Sequence, residues 1–510
     1  MKPPRSLYPS IILLFLIVLL PIIFMIIAPF LTHDVQPLLG LLVEERYLAL
    51  TKNSLGLAAG TTCLSLLIGV PLAFLISRTD LIGKTPLGIL YLIPILIPPY
   101  IHAIVWTHIN SYVQHFLSLD IHSLGGAIFV LTLAYFPFVT LMTLSGLQSV
   151  DKNLEEASLL CHGVRYTLRR ITLPLVTPHI FSGAIFVFIF SIIDFGVPDI
   201  LRVNVYPVEI FIQFSAFYNE KTATLLSFPL IAVTLILVSL QKWHMGRRSY
   251  VNIGGGTGIG ATYSLGRLNA LSLIACLAVL SLSVLIPLVV LFSTAGSISN
   301  YIRVLSTSTD QILYSLELAA LGGLFTLFLA LLISYVTERT KSRAITALEL
   351  ASLIPFAIPA TTLGIGLIKV WNRPILDFVY GCPLIIILGY IAHSIPFTIR
   401  ATSAGIKQIS PNLEEVGFLS TGSWTRVARK IVIPLSMPSL MVGFFIAFIL
   451  SLGELGTTLL IIPPGKETIT IKIYNLMHYG ADQLVAASCL ILIAIILVFL
   501  GLFLLFKRSL

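Results

Sequence analysis

The sequence predicts an all-α polytopic membrane protein of about 12 transmembrane helices, arranged as two parallel six-helix repeats. Three observations predict this. Of 510 residues, 57% are hydrophobic and 10% charged, with a mean hydropathy of +1.00. A soluble core still needs a polar skin, so this composition excludes a soluble protein. The apolar runs reach about 20 residues, enough to cross a hydrocarbon core of about 30 Å, and they lack the alternation of barrel strands. The chain also matches itself at a nearly constant offset.

Spans are expected at residues 10–31, 54–77, 86–108, 125–147, 179–201 and 223–241, then at 269–293, 315–337, 345–371, 382–405, 438–462 and 483–506. The first run is too long for a signal peptide and lacks its small-residue cleavage site, so it reads as a retained anchor. Placing Lys2 and Arg5 in the cytoplasm puts 22 of the 31 Lys and Arg inside and nine outside. That bias predicts that both termini are cytoplasmic. It also accounts for the net charge of +9 through lipid headgroups, with no nucleic acid required.

The repeat is collinear. Asn53-Ser54-Leu55 matches Tyr314-Ser315-Leu316, and Arg78-Thr79 matches Arg339-Thr340, both at an offset of 261. Pro94 and Pro98 match Pro355 and Pro359 at 261, Pro137-Phe138 matches Pro396-Phe397 at 259, and Pro174 matches Pro434 at 260. Six spans per unit is an even number, so both halves enter the membrane the same way and a pathway is expected between them. The expected division is an N-terminal anchor helix and outer loop at 1–50, a first domain at 51–243, a linker, extra helix and outer loop at 244–310, and a second domain at 311–506.

The connector between halves is Gly-rich at Gly254-Gly255-Gly256-Thr257-Gly258-Ile259-Gly260 but lacks the Lys-Ser/Thr of a phosphate-cradling loop. Gly83-Lys84-Thr85 has Arg78 where such a loop needs its first Gly. The connector therefore reads as a flexible linker, and ATP hydrolysis is not expected on this chain. Cys63, Cys161, Cys276, Cys382 and Cys489 are scattered without metal-ligand spacing and read as small apolar residues.

Each half carries a patterned inner loop. The first reads Leu154-Glu155-Glu156-Ala157-Ser158, Gly163, then Ile171-Thr172-Leu173-Pro174. The second reads Leu413-Glu414-Glu415-Val416-Gly417, Gly422, then Ile431-Val432-Ile433-Pro434. The pattern predicts a short helix, a Gly break, a second basic helix and a Pro at membrane re-entry. Arg165, Arg169 and Arg170, like Arg426, Arg429 and Lys430, are placed to meet headgroups or an acidic partner.

This arrangement resembles the loop motif of ABC importer permeases: Glu-Ala-Ala, a Gly, then Ile-x-Leu-Pro. Each loop has one residue more than the family between its acidic end and its Gly, and the second has Val416-Gly417 in place of Ala-Ala. Asp194-Phe195-Gly196-Val197-Pro198, Ser451-Leu452-Gly453-Glu454-Leu455-Gly456 and Ile462-Pro463-Pro464-Gly465 look like the fused two-domain permeases of ferric-iron importers. The resemblance implies an ABC type-1 permease core in each repeat. It implies ATPase-coupling loops at Glu155, Glu156, Ala157, Gly163, Ile171 and Pro174, and at Glu414, Glu415, Gly422, Ile431 and Pro434. It further implies two copies of an ABC ATPase subunit, a periplasmic solute-binding protein, the bilayer of a bacterial inner membrane, and no cofactor.

Asp194 and Glu454 fall late in equivalent spans, where an ionised carboxylate is expensive. With Gly196 and Gly456 they either line the translocation path or a gate, or bond to backbone freed at those glycines. His102, His108 and His393 are metal ligands or hydrogen-bonded packing residues, and no metal site is assigned. The proline pairs Pro94/Pro98 and Pro355/Pro359 are expected to kink the third helix of each half. The resulting expectation is a non-enzymatic importer permease carrying ferric iron from periplasm to cytoplasm by alternating access. The alternatives are thiamine, phosphonate or another small solute, or a 12-span secondary transporter.

Overall fold

The computed structural model describes residues 9–32, 40, 44–113, 120–246, 261–340 and 342–509. Lys2, Arg5 and the run Gly254–Gly260 lie outside these residues. Among the described residues ten helices are long and apolar enough to span a membrane, and two bent pairs raise the number to 12 when each counts as one span. In the first repeat these are α1 (Pro9–Ile27), α2 (Glu45–Arg78), α3 (Lys84–Leu96 plus Pro99–Ser111), α4 (Leu124–Ser149), α5 (Leu173–Ile193) and α6 (Glu220–Gln241). The second repeat has α7 (Leu268–Ala295), α8 (Ile298–Arg339), α9 (Arg343–Ala357 plus Ala360–Trp371), α10 (Leu384–Gln408), α11 (Ile433–Leu452) and α12 (Asp482–Leu505).

The expected kinks fall at the proline pairs, but they are full breaks: the limbs of α3 bend by 92° and those of α9 by 111°. Ile97 precedes Pro98 and Ile358 precedes Pro359, and both adopt extended backbone (φ −90°, ψ 116° and φ −111°, ψ 129°). A following proline ring clashes with helical geometry at just that residue. The fifth and eleventh spans also differ from the expected 179–201 and 438–462. Their α-helical parts start earlier, at Leu173 and Ile433, each continuous with a π-helical turn just before Pro174 or Pro434. They stop at Ile193 and Leu452, just before the two carboxylates.

By compactness the chain separates into two units. One holds Leu42–Val208 and Pro229–Ser293, the other Met1–Leu41, Glu209–Phe228 and Thr294–Leu510. The opening helix of each repeat therefore belongs with the core of the other repeat. In the first-named unit Cys276 and Leu280 of α7 join Leu72, Leu87, Tyr91 and Phe136 in one buried cluster. In the second-named unit α1 lies so close to α9 that a Cβ on Gly366 would sit 2.9 Å from the Pro21 carbonyl oxygen.

The core of each unit is three mutually packed helices: α2, α4 and α5 in one, α8, α10 and α11 in the other. Small residues allow the approach, as in membrane helix packing generally, where dispersion and shape drive association. A Cβ on Gly69 of α2 would lie 2.9 Å from the Phe136 carbonyl oxygen, and one on Gly183 of α5 3.1 Å from Val139 Cα. Both helices thus close onto one stretch of α4. Gly69→Leu and Gly183→Leu should each cost about 1–3 kcal/mol of overpacking. The check is the thermal midpoint of the purified chain: both variants fall, while Gly501→Leu, where an added Cβ meets nothing within 4 Å, does not.

Candidate coupling loops and membrane carboxylates

The two patterned loops have the same plan in both repeats. The first loop helix, Lys152–Thr167, starts where the Asp151 carboxylate accepts the Asn153 N–H at 2.9 Å. It breaks at Gly163 (φ 77°, ψ 177°). The second, Pro411–Thr421, ends at Gly422 (φ 63°), whose N–H donates to the Phe418 carbonyl at 2.7 Å. A Cβ on either Gly would meet nothing within 4 Å, so the requirement for glycine is conformational.

One π-helical turn then leads into each membrane helix. Leu168–Thr172 closes with Leu173 N–H to the Leu168 carbonyl, and Ala428–Val432 with Ile433 N–H to the Ala428 carbonyl. A proline inside a helix collides with the carbonyl four residues earlier. The wider turn before Pro174 and Pro434 relieves that collision. Ile171 and Ile431 are half-buried in these turns, and the basic side chains Arg169, Arg170, Arg429 and Lys430 are exposed.

The acidic pairs split their roles. Glu155 and Glu414 are buried, whereas Glu156, Glu415 and Ala157 are exposed. Arg78, at the inner end of α2, meets Glu155 Oε2 at 3.3 Å and donates to the Leu147 carbonyl at 2.6 Å. The Thr172 hydroxyl donates to Glu155 Oε1 at 2.8 Å. Arg339, at the inner end of α8, donates through Nε and Nη2 to Glu414 Oε1 at 3.0 and 2.6 Å. Its Nη2 also donates to the Ile406 and Ile409 carbonyls at 3.0 and 2.9 Å, and the Tyr335 hydroxyl donates to Glu414 Oε2 at 2.8 Å. Each loop helix is thus pinned to a core helix of its own unit. Sequence reasoning had Arg78 and Arg339 only as markers of the repeat.

It also missed the outward apolar side chains. Leu160 is 89% exposed and Leu419 84%, at equivalent places 259 residues apart. Val164 and Tyr166 beside the first, and Val416 beside the second, are exposed too. A leucine recurring at one place in the two loops was the available signal.

Asp194 and Glu454 stand at breaks rather than inside helices. Asp194 Oδ1 accepts the Val197 N–H at 2.9 Å, starting the short helix Gly196–Ile200, and Oδ2 accepts the Tyr135 hydroxyl at 2.9 Å. Glu454 Oε1 accepts the Thr457 N–H at 2.6 Å, and Oε2 accepts the Thr458 N–H at 2.8 Å together with the Thr458 hydroxyl. Gly456 is buried in that turn. Both carboxylates therefore hold backbone that the helix end leaves unpaired. His102 is fully buried in α3 and His393 half-buried in α10. Among the described residues no three His, Cys, Asp or Glu stand together as a metal-holding group.

Over its whole length the chain is 24% identical to the Fe(3+)-transport system permease protein FbpB 2 of Haemophilus influenzae, covering 99% of that protein. It is 24% identical over 96% of its length to the ferric transport system permease protein FbpB of Actinobacillus pleuropneumoniae, covering 76% of it. A Salmonella typhimurium permease protein named for 2-aminoethylphosphonate transport is 29% identical over 37% of the chain and 71% of its own length. The profile of binding-protein-dependent transport system inner membrane components matches residues 5–250 and again 330–510. With two matched segments covering most of its length, the chain belongs to that family.

Proposed function

We propose that the chain is the membrane-spanning permease of an ATP-binding-cassette importer that carries ferric iron from periplasm to cytoplasm. Two copies of a separate ATPase subunit drive it, one on each coupling helix, and a periplasmic solute-binding protein delivers the solute. The permease domains run from 51 to 243 and from 311 to 506, and both termini lie in the cytoplasm. The observation that carries this reading is the duplicated coupling helix, pinned at Glu155 or Glu414 and presenting Leu160 or Leu419 outward. A pinned helix with an exposed apolar tip suits insertion into a partner's groove, since a few buried anchors dominate such interfaces. Ferric iron as solute rests on the names of two relatives that match 96% or more of the chain.

Asp194 and Glu454 are proposed to line the path or an outer gate. Their hydrogen bonds hold the breaks at Gly196 and Gly456, and a change of backbone there would open or close the chain's outer half. Alternating access follows if ATP binding displaces the coupling helices and the cores follow them.

Two outcomes test this. Purified with its ATPase, the wild-type chain should hold two ATPase subunits. Leu160→Asp and Leu419→Asp should each hold one, and the double variant none; a double variant that keeps both would refute the docking role. In cells, Asp194→Asn and Glu454→Gln at matched membrane levels should slow uptake of radiolabelled ferric iron by about tenfold, the loss of roughly 1.4 kcal/mol at the slow step. Unchanged uptake in both would end the pathway role.

A further inference from the structure

The two coupling helices share an Arg–Glu pin but not the group that completes it. In the second repeat the remaining Glu414 oxygen is taken by the Tyr335 hydroxyl. The equivalent of Tyr335, 261 residues earlier, is Phe74, which has no hydroxyl. Phe74 lies half-buried beside Ala73, Leu147 and Val176. Here the Thr172 hydroxyl takes Glu155 Oε1 at 2.8 Å, and the Ala261 N–H donates at 3.3 Å to Oε2, the oxygen that faces Arg78. Ala261 belongs to the connector that joins the two repeats.

The connector is held in place to do this. The Tyr263 N–H donates to the Arg78 carbonyl at 2.8 Å, and the Asp80 N–H to the Tyr263 carbonyl at 3.2 Å. The Asp80 carboxylate accepts the Leu265 N–H at 2.8 Å and the Ser264 hydroxyl at 2.9 Å. Asn269 donates to the Asp80 carbonyl at 3.0 Å and accepts the Ile82 N–H at 3.2 Å. The equivalent of Asp80 in the second repeat is Lys341, a donor that cannot accept such bonds.

The geometry points to Asp80 and Asn269 as positioning residues for the first coupling helix: they hold the connector so that the Ala261 amide completes the seat of Glu155, which the second repeat completes with a tyrosine hydroxyl. The two coupling helices are then inequivalent, and only the first depends on the connector. The consequence for ATPase engagement rests on the docking role proposed above. The Leu265 amide and the Ser264 hydroxyl hold the Asp80 carboxyl below its ordinary value, with Lys84 the nearby cation. A lowered carboxyl stabilises the clasp above its unfolded pKa, so the clasp is intact at neutral pH and loosens only as pH falls through the lowered value.

Amide hydrogen exchange of the full-length purified chain tests the inference. Asp80→Ala should speed exchange about tenfold at Tyr263 and Leu265 and along residues 152–162, and leave residues 411–421 unchanged. Should that variant not fold, Asn269→Ala should give the same pattern. Adding Phe74→Tyr to either variant should restore slow exchange at residues 152–162, by supplying the hydroxyl that the second repeat uses, without restoring Tyr263 and Leu265. Unchanged exchange at 152–162, an equal change in both coupling helices, or no rescue by Phe74→Tyr would each overturn the inference. Repeating the wild-type measurement with the ATPase bound separates the two readings. Protection absent from both coupling helices would count against docking, while the Asp80 comparison would still decide the clasp.

Discussion

The pin between Arg78 and Glu155, and its counterpart between Arg339 and Glu414, is the constraint on which the patterned loop of each repeat depends. Taking a carboxylate out of water costs several kcal/mol unless it is paired and its remaining lone pairs are satisfied, and removing one partner of such a pair costs about 3–5 kcal/mol. Both glutamates meet that condition, through Thr172 and Ala261 in one case and Tyr335 in the other. The arginines also close the ends of neighbouring helices, at the Leu147 carbonyl and at those of Ile406 and Ile409. Each loop helix is thereby fixed to α2 or α8 of its own unit.

The helix breaks follow a different rule, in which they are stabilised rather than avoided. Proline pairs turn α3 and α9 by about a right angle, and a carboxylate catches the freed amides after α5 and α11. In a membrane such irregular backbone persists only where protein groups satisfy it. The same side chains, Asp194 and Glu454, are thus needed for structure whatever they do for solute. A transport defect in their variants is informative only alongside an intact fold, and the amide form of each keeps an acceptor oxygen for the turn.

Much of this was legible in the sequence because the repeat doubles every signal. Span number, the loop plan around Gly163 and Gly422, and the bend positions at Pro98 and Pro359 all follow from local chemistry seen twice. Contacts between distant segments were not legible. Nothing in Glu155-Glu156 says which acid turns inward, because the choice depends on Arg78, 77 residues away. The ends of α5 and α11 were misplaced because hydropathy continues through Val197 and Leu455 while the backbone does not. The exchange of α1 and α7 between cores leaves no mark in composition, since both are apolar on every side.

The central claim is that the buried pin transmits movement of the coupling helix to the core. The most direct measurement is ATP-driven solute uptake by proteoliposomes carrying the chain, its ATPase and its binding protein, with the second pin replaced by apolar residues of similar volume (Arg339→Met with Glu414→Leu). Such a replacement of a buried pair is often neutral for stability. The account predicts a folded complex that still hydrolyses ATP but has lost most of its uptake. Uptake at the wild-type rate per ATP hydrolysed would contradict it.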